Sequence, residues 1–251
     1  MFVHLHIHSP FSFLDGASPL ERLIDRAAEL GMEALALTDH DNVCGAVQFH
    51  RLAQRKGIKP IQGVEITLAG ERHLTLLAKG PGGYANICRL ITKAHLDNPR
   101  GTPQITLEDL ARHKEGLIVL SGCRRGPIAS SLLQGDYDGA RKLAERYKGT
   151  WGQDFYLELP PPHLPGGRRL NRLLAELGEL LAIPLVATGN VHYAVKADYP
   201  VCDLLACLRT GTTLEDVHPL RPLNGENYLK SPREMEALFA DYPEALENSC
   251  K

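Results

Sequence analysis

Residues 2–8 read Phe2-Val3-His4-Leu5-His6-Ile7-His8, and this run opens an alternation of apolar runs and helical patterns along the chain. In an extended segment, residues two apart share one face, so the three imidazoles can project together. Imidazole is the commonest neutral metal ligand near pH 7, and two imidazoles at this spacing can chelate one ion. The alternative is a partly buried histidine face satisfied by backbone groups, which suits His4 best because it lies earliest in the strand. His6 and His8 are therefore predicted metal ligands.

Seven short apolar runs are predicted to be strands, and this one is the first. The seven are Phe2–His6, Ala34–Leu37, Ile61–Ile66, Leu74–Leu77, Leu117–Leu120, Phe155–Leu159 and Leu185–Ala187. Helical patterns lie among them at Pro19–Leu30, Val43–Arg55, Tyr84–Lys93, Leu107–His113, Asp138–Tyr147 and Leu170–Leu181. This alternation indicates an α/β fold with a parallel sheet, and seven strands in one series favour a barrel. The link between the third and fourth runs is too short for a crossover helix, so that pair is expected to be antiparallel or irregular.

The composition excludes several classes of protein. The chain has 251 residues, with 28 Lys plus Arg, 30 Asp plus Glu and 43% hydrophobic residues, which is typical of a globular protein rather than a disordered one. No apolar run approaches the ~18 residues of a membrane helix, and the N-terminus lacks a signal-peptide pattern. The net charge of −2 argues against a broad basic surface that grips duplex nucleic acid by charge alone. The six cysteines form no CxxC pair, so we expect a cytoplasmic protein with reduced thiols.

A second group of polar residues follows the second predicted strand directly. Asp39, His40 and Asp41 place an imidazole between two carboxylates. In βα barrels the chemistry is built from loops at the carboxyl ends of the strands, so His40 is a candidate ligand. Asp41 or Asn42 can instead cap the next helix, and both interpretations can hold together.

Weaker signals occur at the ends of other predicted strands. Glu65 and Glu158 stand in apolar runs, where an unpaired carboxylate is costly to bury unless a metal or exposure at a sheet edge compensates. Residues that follow or share a strand's carboxyl end are His6, His8, His40, Glu65, Cys123 and His192. Asp15 is more typical of a turn, and His95 of a cation at a helix end. A mixed set larger than one tetrahedral site needs indicates more than one metal.

An ordered series of short motifs resembles the PHP (polymerase and histidinol phosphatase) superfamily. The opening motifs are His6-Ile7-His8-Ser9, Leu14-Asp15-Gly16, Leu37-Thr38-Asp39-His40-Asp41 and Gly63-Val64-Glu65. Later ones lie at His73–Lys79, Gly83–Asn86, Glu115–Cys123, Phe155–Leu159 and Ala187–Tyr193. Together they are similar to the N-terminal PHP domain of bacterial DNA polymerase III alpha subunits, the error-prone type in particular, over essentially the whole chain.

The resemblance implies a distorted seven-stranded (β/α)7 barrel of the TIM-like kind, with two to three divalent ions (zinc, manganese or iron) at its mouth. The implied metal ligands are His6, His8, Asp15, His40, Glu65, His73, His95, Cys123, Asn190 and His192. The family usually has Asp where Asn190 stands, and an amide brings no charge to a metal site. Of these residues, we expect His8, Glu65, His192 and Asp15 to take part in catalysis. Lys79, Arg124 and Arg125 are candidates for phosphate binding, although each can equally be a solvated surface cation.

The implied activity is metal-dependent phosphoester hydrolysis, in which two ions clamp the phosphate and lower the pKa of a bridging water. If the family's proofreading role applies, the substrate is a DNA 3′ end and the activity is a 3′→5′ exonuclease. One alternative is a phosphatase of phosphorylated small molecules that resembles histidinol phosphatase. Another is a non-catalytic module of the polymerase that metals stabilise.

The chain is expected to divide near residue 209. Residues 1–209 are predicted to form the barrel, and residues 210–251 to begin a connection towards a polymerase body. Ser231-Pro232-Arg233-Glu234 looks like a capping box that opens a short helix in this extension. Leu220–Lys251 resembles the start of the family's connection, so we expect a fragment whose partner in the same polypeptide is a polymerase body. A stand-alone PHP protein is the alternative.

Overall fold

Six strands and ten α-helices make up the computed structural model, which describes residues 2–70 and 72–251. The strands are β1 (Ala34–Leu37), β2 (Lys59–Leu68), β3 (Arg72–Ala78), β4 (Leu117–Leu120), β5 (Phe155–Leu159) and β6 (Leu185–Ala187). The helices are α1 (Leu20–Glu29), α2 (Ala46–Arg55), α3 (Pro81–Leu96), α4 (Leu107–Arg112), α5 (Pro127–Leu133), α6 (Tyr137–Trp151), α7 (Gly167–Leu181), α8 (Tyr199–Thr210), α9 (Pro232–Leu238) and α10 (Pro243–Glu247). Within the described ranges, none of these helices is both long and apolar enough to cross a lipid bilayer.

The strands form one curled sheet in which neighbours in the chain are neighbours in space, in the order β1-β2-β3-β4-β5-β6. β1 pairs with β2 in parallel, as β4 does with β5 and β5 with β6. β3 is antiparallel to both β2 and β4, so the predicted exception in the alternation is confirmed. Because β3 runs the other way, it begins at the end of the sheet where the other strands finish.

The segment of residues 2–8 lies between the two edges of the curled sheet. On one side, Ala36 N donates to His4 O at 3.0 Å. On the other side, Ile7 bridges Val191 in the loop after β6. These contacts are isolated bridges and do not form a continuous ladder, so the seventh strand of the predicted (β/α)7 barrel is not confirmed. The fold is a curled six-stranded α/β half-barrel.

Helices cover the sheet because each turns an apolar face towards it. In α1, the buried residues Leu20, Leu23, Ile24 and Ala27 recur at intervals of three and four positions, which places them on one face. α2 and α7 bury one face in the same manner. The largest core cluster joins the sheet to α3, α4, α5, α6 and α7.

Residues 210–251 pack directly against the half-barrel. α9 begins with the capping box that the sequence predicts at Ser231. Met235 and Phe239 in and after this helix are fully buried, and both belong to the largest core cluster. The extension therefore shares a hydrophobic core with the sheet.

Candidate metal centre

Five side chains from four places in the chain meet at one end of the half-barrel. His6 and His8 come from the N-terminal segment, His40 follows β1, Glu65 lies in β2 and His73 lies in β3. His73 stands near the start of its strand, whereas the others follow or approach the ends of theirs. The reversed direction of β3 brings its start to the same end of the sheet.

Glu65 is at the centre of this group. The sequence places it at the end of a strand, but β2 continues to Leu68, and Glu65 pairs with Thr75 inside the sheet with 2% of its side chain exposed. The imidazole nitrogens near its carboxylate are His6 Nε2 at 3.5 Å, His8 Nε2 at 3.5 Å, His40 Nδ1 at 3.0 Å and His73 Nδ1 at 3.3 Å. A carboxylate buried this deeply requires polar partners, and here four imidazoles supply them.

Asp15 is the centre of a second group of polar contacts, beside the group around Glu65. Its Oδ2 lies 3.0 Å from His40 Nε2 and 3.3 Å from His192 Nδ1, while its Oδ1 accepts a hydrogen bond from the Arg209 guanidinium. His40 contacts Asp15 with one ring nitrogen and Glu65 with the other, so it connects the two carboxylates. Sequence reasoning missed Arg209, because α8 was not predicted and no motif surrounds this residue.

Three overlapping groups of side chains have the donor atoms and spacing of metal sites. They are His6 with His8 and Glu65, His8 with Asp15 and His40, and His40 with Glu65 and His73. Within each group the ligand atoms lie within 4.8 Å of one another. Imidazole nitrogen and carboxylate oxygen suit zinc and also admit manganese and iron. The donor set therefore fits a divalent ion.

The hydroxyl of Ser12 fixes the orientation of His8. Ser12 Oγ donates its single proton to Asp39 Oδ1 at 2.7 Å, so it accepts from His8 Nδ1 at 3.0 Å and from His40 N at 3.0 Å. The proton of neutral His8 is thereby assigned to Nδ1. Its Nε2 lone pair faces Glu65 and is available to a metal. No motif in the sequence indicates this role of Ser12.

Asp39 and Asp41 support the loop and belong to none of the three groups. Asp39 accepts hydrogen bonds from the backbone and hydroxyl of Ser9 at 2.7 and 2.8 Å. Asp41 adopts a positive φ of 49° and accepts from Thr67 N at 2.7 Å and Thr67 Oγ1 at 2.6 Å. The alternative that Asp41 or Asn42 caps the next helix is wrong, because α2 begins at Ala46 and its N-cap is Gly45.

The surroundings of the histidines shift their pKa values in opposite directions. Burial lowers the pKa of His6, but the carboxylates of Glu158 and Glu65 outweigh it and raise this pKa to about 10. The pKa of His40 is also about 10, because Glu65 again outweighs burial. Burial and the neighbouring imidazoles hold the pKa of His8 well below its usual value. Burial raises the pKa of Glu65, but the imidazoles outweigh it and keep this carboxyl ionised.

Cys123 and Asn190 lie at the same cavity but outside the three groups. Cys123 Sγ is 3.8 Å from Glu65 Oε1, and burial together with this charge raises the pKa of the thiol well above its usual value. Asn190 has a positive φ of 42°, and its backbone carbonyl accepts from Asn227 Nδ2 at 2.9 Å.

Two of the residues proposed from the resemblance lie elsewhere. His95 ends α3, is exposed, and places its Nε2 2.8 Å from the backbone oxygen of Asp41, so the structure does not bring it into the ligand groups. Lys79 follows β3, and because that strand is reversed it lies at the opposite end of the half-barrel. There it forms an ion pair with Asp154 at 2.8 Å, outside the cavity that the ligand groups line.

Arg124 and Arg125, the other two candidates for phosphate binding, lie at the same cavity as the ligand groups. With Arg209 and Arg221 they line a cavity of about 380 Å³ into which the site opens. Arg209 is paired with Asp15, and Arg221 is paired with Asp203. Part of the cavity wall comes from the extension, through Pro219, Leu220, Pro222, Leu223 and Asn227.

Known proteins similar to this chain include bacterial DNA polymerases. It is 53% identical over 264 residues to an error-prone DNA polymerase of Symbiobacterium thermophilum, an alignment that covers 99% of this chain and 24% of the relative. It is 40% identical over 265 residues to the DNA polymerase III subunit alpha of Treponema pallidum, covering 100% of this chain and 23% of the relative. The chain therefore spans about a quarter of the length of these relatives.

Solved structures show the same fold at low sequence identity. An amidohydrolase of Chromobacterium violaceum, solved with sulfate and without metal, matches with a TM-score of 0.55 and 20% identity over 94% of this chain and 96% of that one. A protein of Bifidobacterium adolescentis assigned as a metal-dependent phosphoesterase matches with a TM-score of 0.50 and 15% identity over 76% and 87%. The family model of the PHP domain matches residues 4–161, which is more than half of the sequence. The chain, with its histidine-rich site inside a curled sheet, belongs to the PHP domain family.

Proposed function

We propose that this chain is a metal-dependent phosphoester hydrolase that acts on DNA 3′ ends as a 3′→5′ exonuclease. The observation that carries the proposal is the meeting of three overlapping ligand groups with two unpaired guanidinium groups in one cavity. Ligand groups alone are compatible with a structural metal. The adjacent cations give the cavity an affinity for an anionic group such as phosphate.

Arg124 and Arg125 are the residues we assign to phosphate binding. Within residues 2–70 and 72–251, neither guanidinium forms an ion pair with a carboxylate, unlike Arg209 and Arg221. Arg124 Nη1 is buried and has no hydrogen-bond partner in the protein. A buried donor without a partner is costly, and a phosphate oxygen of a substrate would satisfy it.

The residues that would hold the ions follow from the three groups. His6, His8 and Glu65 would hold one ion, and Asp15 and His40 would contribute to a second. His73 offers a further ligand beside Glu65, and His192, Asn190 and Cys123 complete the wall of the site. Bound zinc, manganese or iron would supply Lewis-acid polarisation of the phosphate and a more acidic water. Glu65, Asp15, His8 and His192 are the side chains we expect to act at the reacting phosphate.

The choice of substrate and partner rests on the similar proteins. The relatives are DNA polymerases about four times longer than this chain, so we propose that it works joined to a polymerase body. Residues 1–209 would be the catalytic barrel and residues 210–251 the first part of the connection. We propose the cytoplasm as its compartment, since a domain of a replication enzyme must meet the chromosome.

A non-catalytic module is the second candidate, and Asn190 favours it. The family usually has Asp at this position, and the neutral amide weakens any metal site that it joins. In that case bound ions stabilise the fold, and no phosphoester is hydrolysed.

The test is release of nucleotides from a 3′-mismatched DNA primer by the purified chain with Mn²⁺ or Zn²⁺. The proposal predicts cleavage that a chelator abolishes and that His8→Ala lowers by at least about 100-fold. His50→Ala is the matched control, because His50 is exposed on α2 outside the site.

Two other results would replace the proposal. Turnover of small phosphomonoesters without any release from DNA would favour a small-molecule phosphatase. Stoichiometric metal binding without hydrolysis of either substrate would favour the structural module.

A further inference from the structure

Glu158 is a buried carboxylate whose role the ligand groups leave unexplained. It lies in β5, its side chain is fully buried, and it belongs to none of the three groups. The sequence offered two explanations for it, a metal partner or exposure at a sheet edge. The structure supports neither, because Glu158 is enclosed and pairs with β6 on one side of its strand.

The polar partners of Glu158 are few and specific. Its Oε1 lies 2.7 Å from His6 Nδ1 and accepts from Thr188 Oγ1 at 2.6 Å. Thr75 Oγ1 donates more weakly to its Oε2 at 3.4 Å. In the described parts of the chain, the side chain of Glu158 pairs with no lysine or arginine. The basic side chain that faces its carboxylate is therefore the imidazole of His6.

The other ring nitrogen of His6 faces the ligand groups. Its Nε2 lies 3.5 Å from Glu65 Oε1 and 3.2 Å from His8 Nε2. The imidazole thus stands between a carboxylate on its Nδ1 side and the candidate metal ligands on its Nε2 side. Metal-binding histidines commonly donate their second N–H to a carboxylate in this way, which fixes the tautomer and increases the basicity of the ligand.

We propose that Glu158 is a positioning residue of the metal centre. It keeps the proton of neutral His6 on Nδ1 and turns the Nε2 lone pair towards the ion held with His8 and Glu65. Thr188 fixes the carboxylate in turn, so the chain of contacts runs from β6 through β5 to the N-terminal segment. This inference rests on the metal-binding part of the proposed function and is independent of whether the site hydrolyses a phosphoester.

The first experiment measures Zn²⁺ affinity and stoichiometry of the full chain by calorimetry and elemental analysis. Glu158→Gln keeps the shape of the side chain but removes its charge, and we expect about 10- to 100-fold weaker binding of one ion. Glu176→Gln is the matched control, because Glu176 is exposed on α7. Thr188→Val should give a smaller loss in the same direction. Equal affinity in Glu158→Gln and Glu176→Gln would overturn the proposal.

The second experiment reads the tautomer, which a purely structural role would not affect. In the Zn²⁺-loaded wild-type chain, ¹⁵N–¹H spectra of the imidazoles should show His6 with a proton on Nδ1 and metal on Nε2. Metal on Nδ1, or no metal at His6, would overturn the proposal even if Glu158→Gln failed to fold. Absence of hydrolysis in the DNA assay would contradict the proposed function but would not affect the result on the His6 tautomer.

Discussion

His4 and His6 stand two residues apart on one segment, yet their surroundings favour opposite charge states. His4 is fully buried with its Nε2 2.9 Å from the backbone oxygen of Lys230, and burial lowers its pKa to about 4. His6 faces two carboxylates, which raise its pKa to about 10. The alternating pattern in the sequence predicted a shared face, but the charge of each imidazole depends on partners more than fifty residues away.

We expect His4 to make the protein sensitive to acid. The unfolded chain takes up a proton at this residue below about pH 6.5, whereas the folded chain does so only near pH 4, so stability falls as the pH falls through this window. Between pH 7 and pH 5 the loss should be about 2 kcal/mol of unfolding free energy. Urea unfolding of wild type and His4→Gln at pH 7 and pH 5, both in chelator, measures it. An equal pH dependence in the two proteins would contradict the assignment.

Metal binding is expected to release protons from His6 and His40. Both have a pKa of about 10, so both are imidazolium cations at pH 8. A metal ion binds only the neutral ring, so each ring must first lose one proton. The stabilising ion pairs of the metal-free protein are fully present below pH 6.5 and are lost as the pH rises through 10. Zn²⁺ affinity should therefore increase between pH 7 and pH 10. Calorimetry in buffers of different ionisation enthalpy should count about two protons per chain, and a count near zero would exclude this coupling.

At the scale of the elements, much of the sheet could be predicted from the sequence. The runs Ala34–Leu37, Leu117–Leu120, Phe155–Leu159 and Leu185–Ala187 have the bounds that the sequence predicts. α5 and α8 were missed: five of the seven residues of α5 are buried, and the residues of α8 show no clear apolar periodicity in the sequence. The roles of Ser12, Glu158 and Arg209 were missed because each depends on a contact across the fold. Local sequence patterns do not indicate contacts between residues that are distant in the chain.

Gly16, which follows Asp15 directly, should tolerate no side chain. A Cβ there would lie 2.0 Å from the backbone oxygen of Ser9, so Gly16→Ala must shift the loop that carries Ser12 and Asp15. We expect a loss of about 1–3 kcal/mol in unfolding free energy and weaker Zn²⁺ binding, measured by denaturation and calorimetry.

Gly82→Ala is the control for this change. Gly82 lies in α3, where a Cβ would meet nothing within 4 Å, so alanine should be neutral or slightly stabilising. Zn²⁺ affinity equal in both variants would show that the loop is not tightly coupled to the site.

On the scale of the whole molecule, the extension behaves as part of the half-barrel. Phe239 is fully buried in the largest core cluster, so Phe239→Ala should cost about 3–5 kcal/mol of unfolding free energy. Leu223→Ala in the same extension is the control, because Leu223 is 68% exposed. A single transition at lower denaturant is expected for Phe239→Ala, followed by circular dichroism. Two separate transitions would mean that residues 210–251 unfold on their own.

The N-terminal segment also determines when the site can exist during synthesis. His6 and His8 precede their partners in the chain, because their segment is held by Val191 and by Ser249, whose hydroxyl accepts from Val3 N across 246 positions. Contacts of such long sequence separation form late, because the entropy of loop closure must be overcome first. A nascent chain therefore exposes its two imidazoles at least until residues 191 and 249 have been synthesised. The complete metal centre can load only after these distant segments have come together.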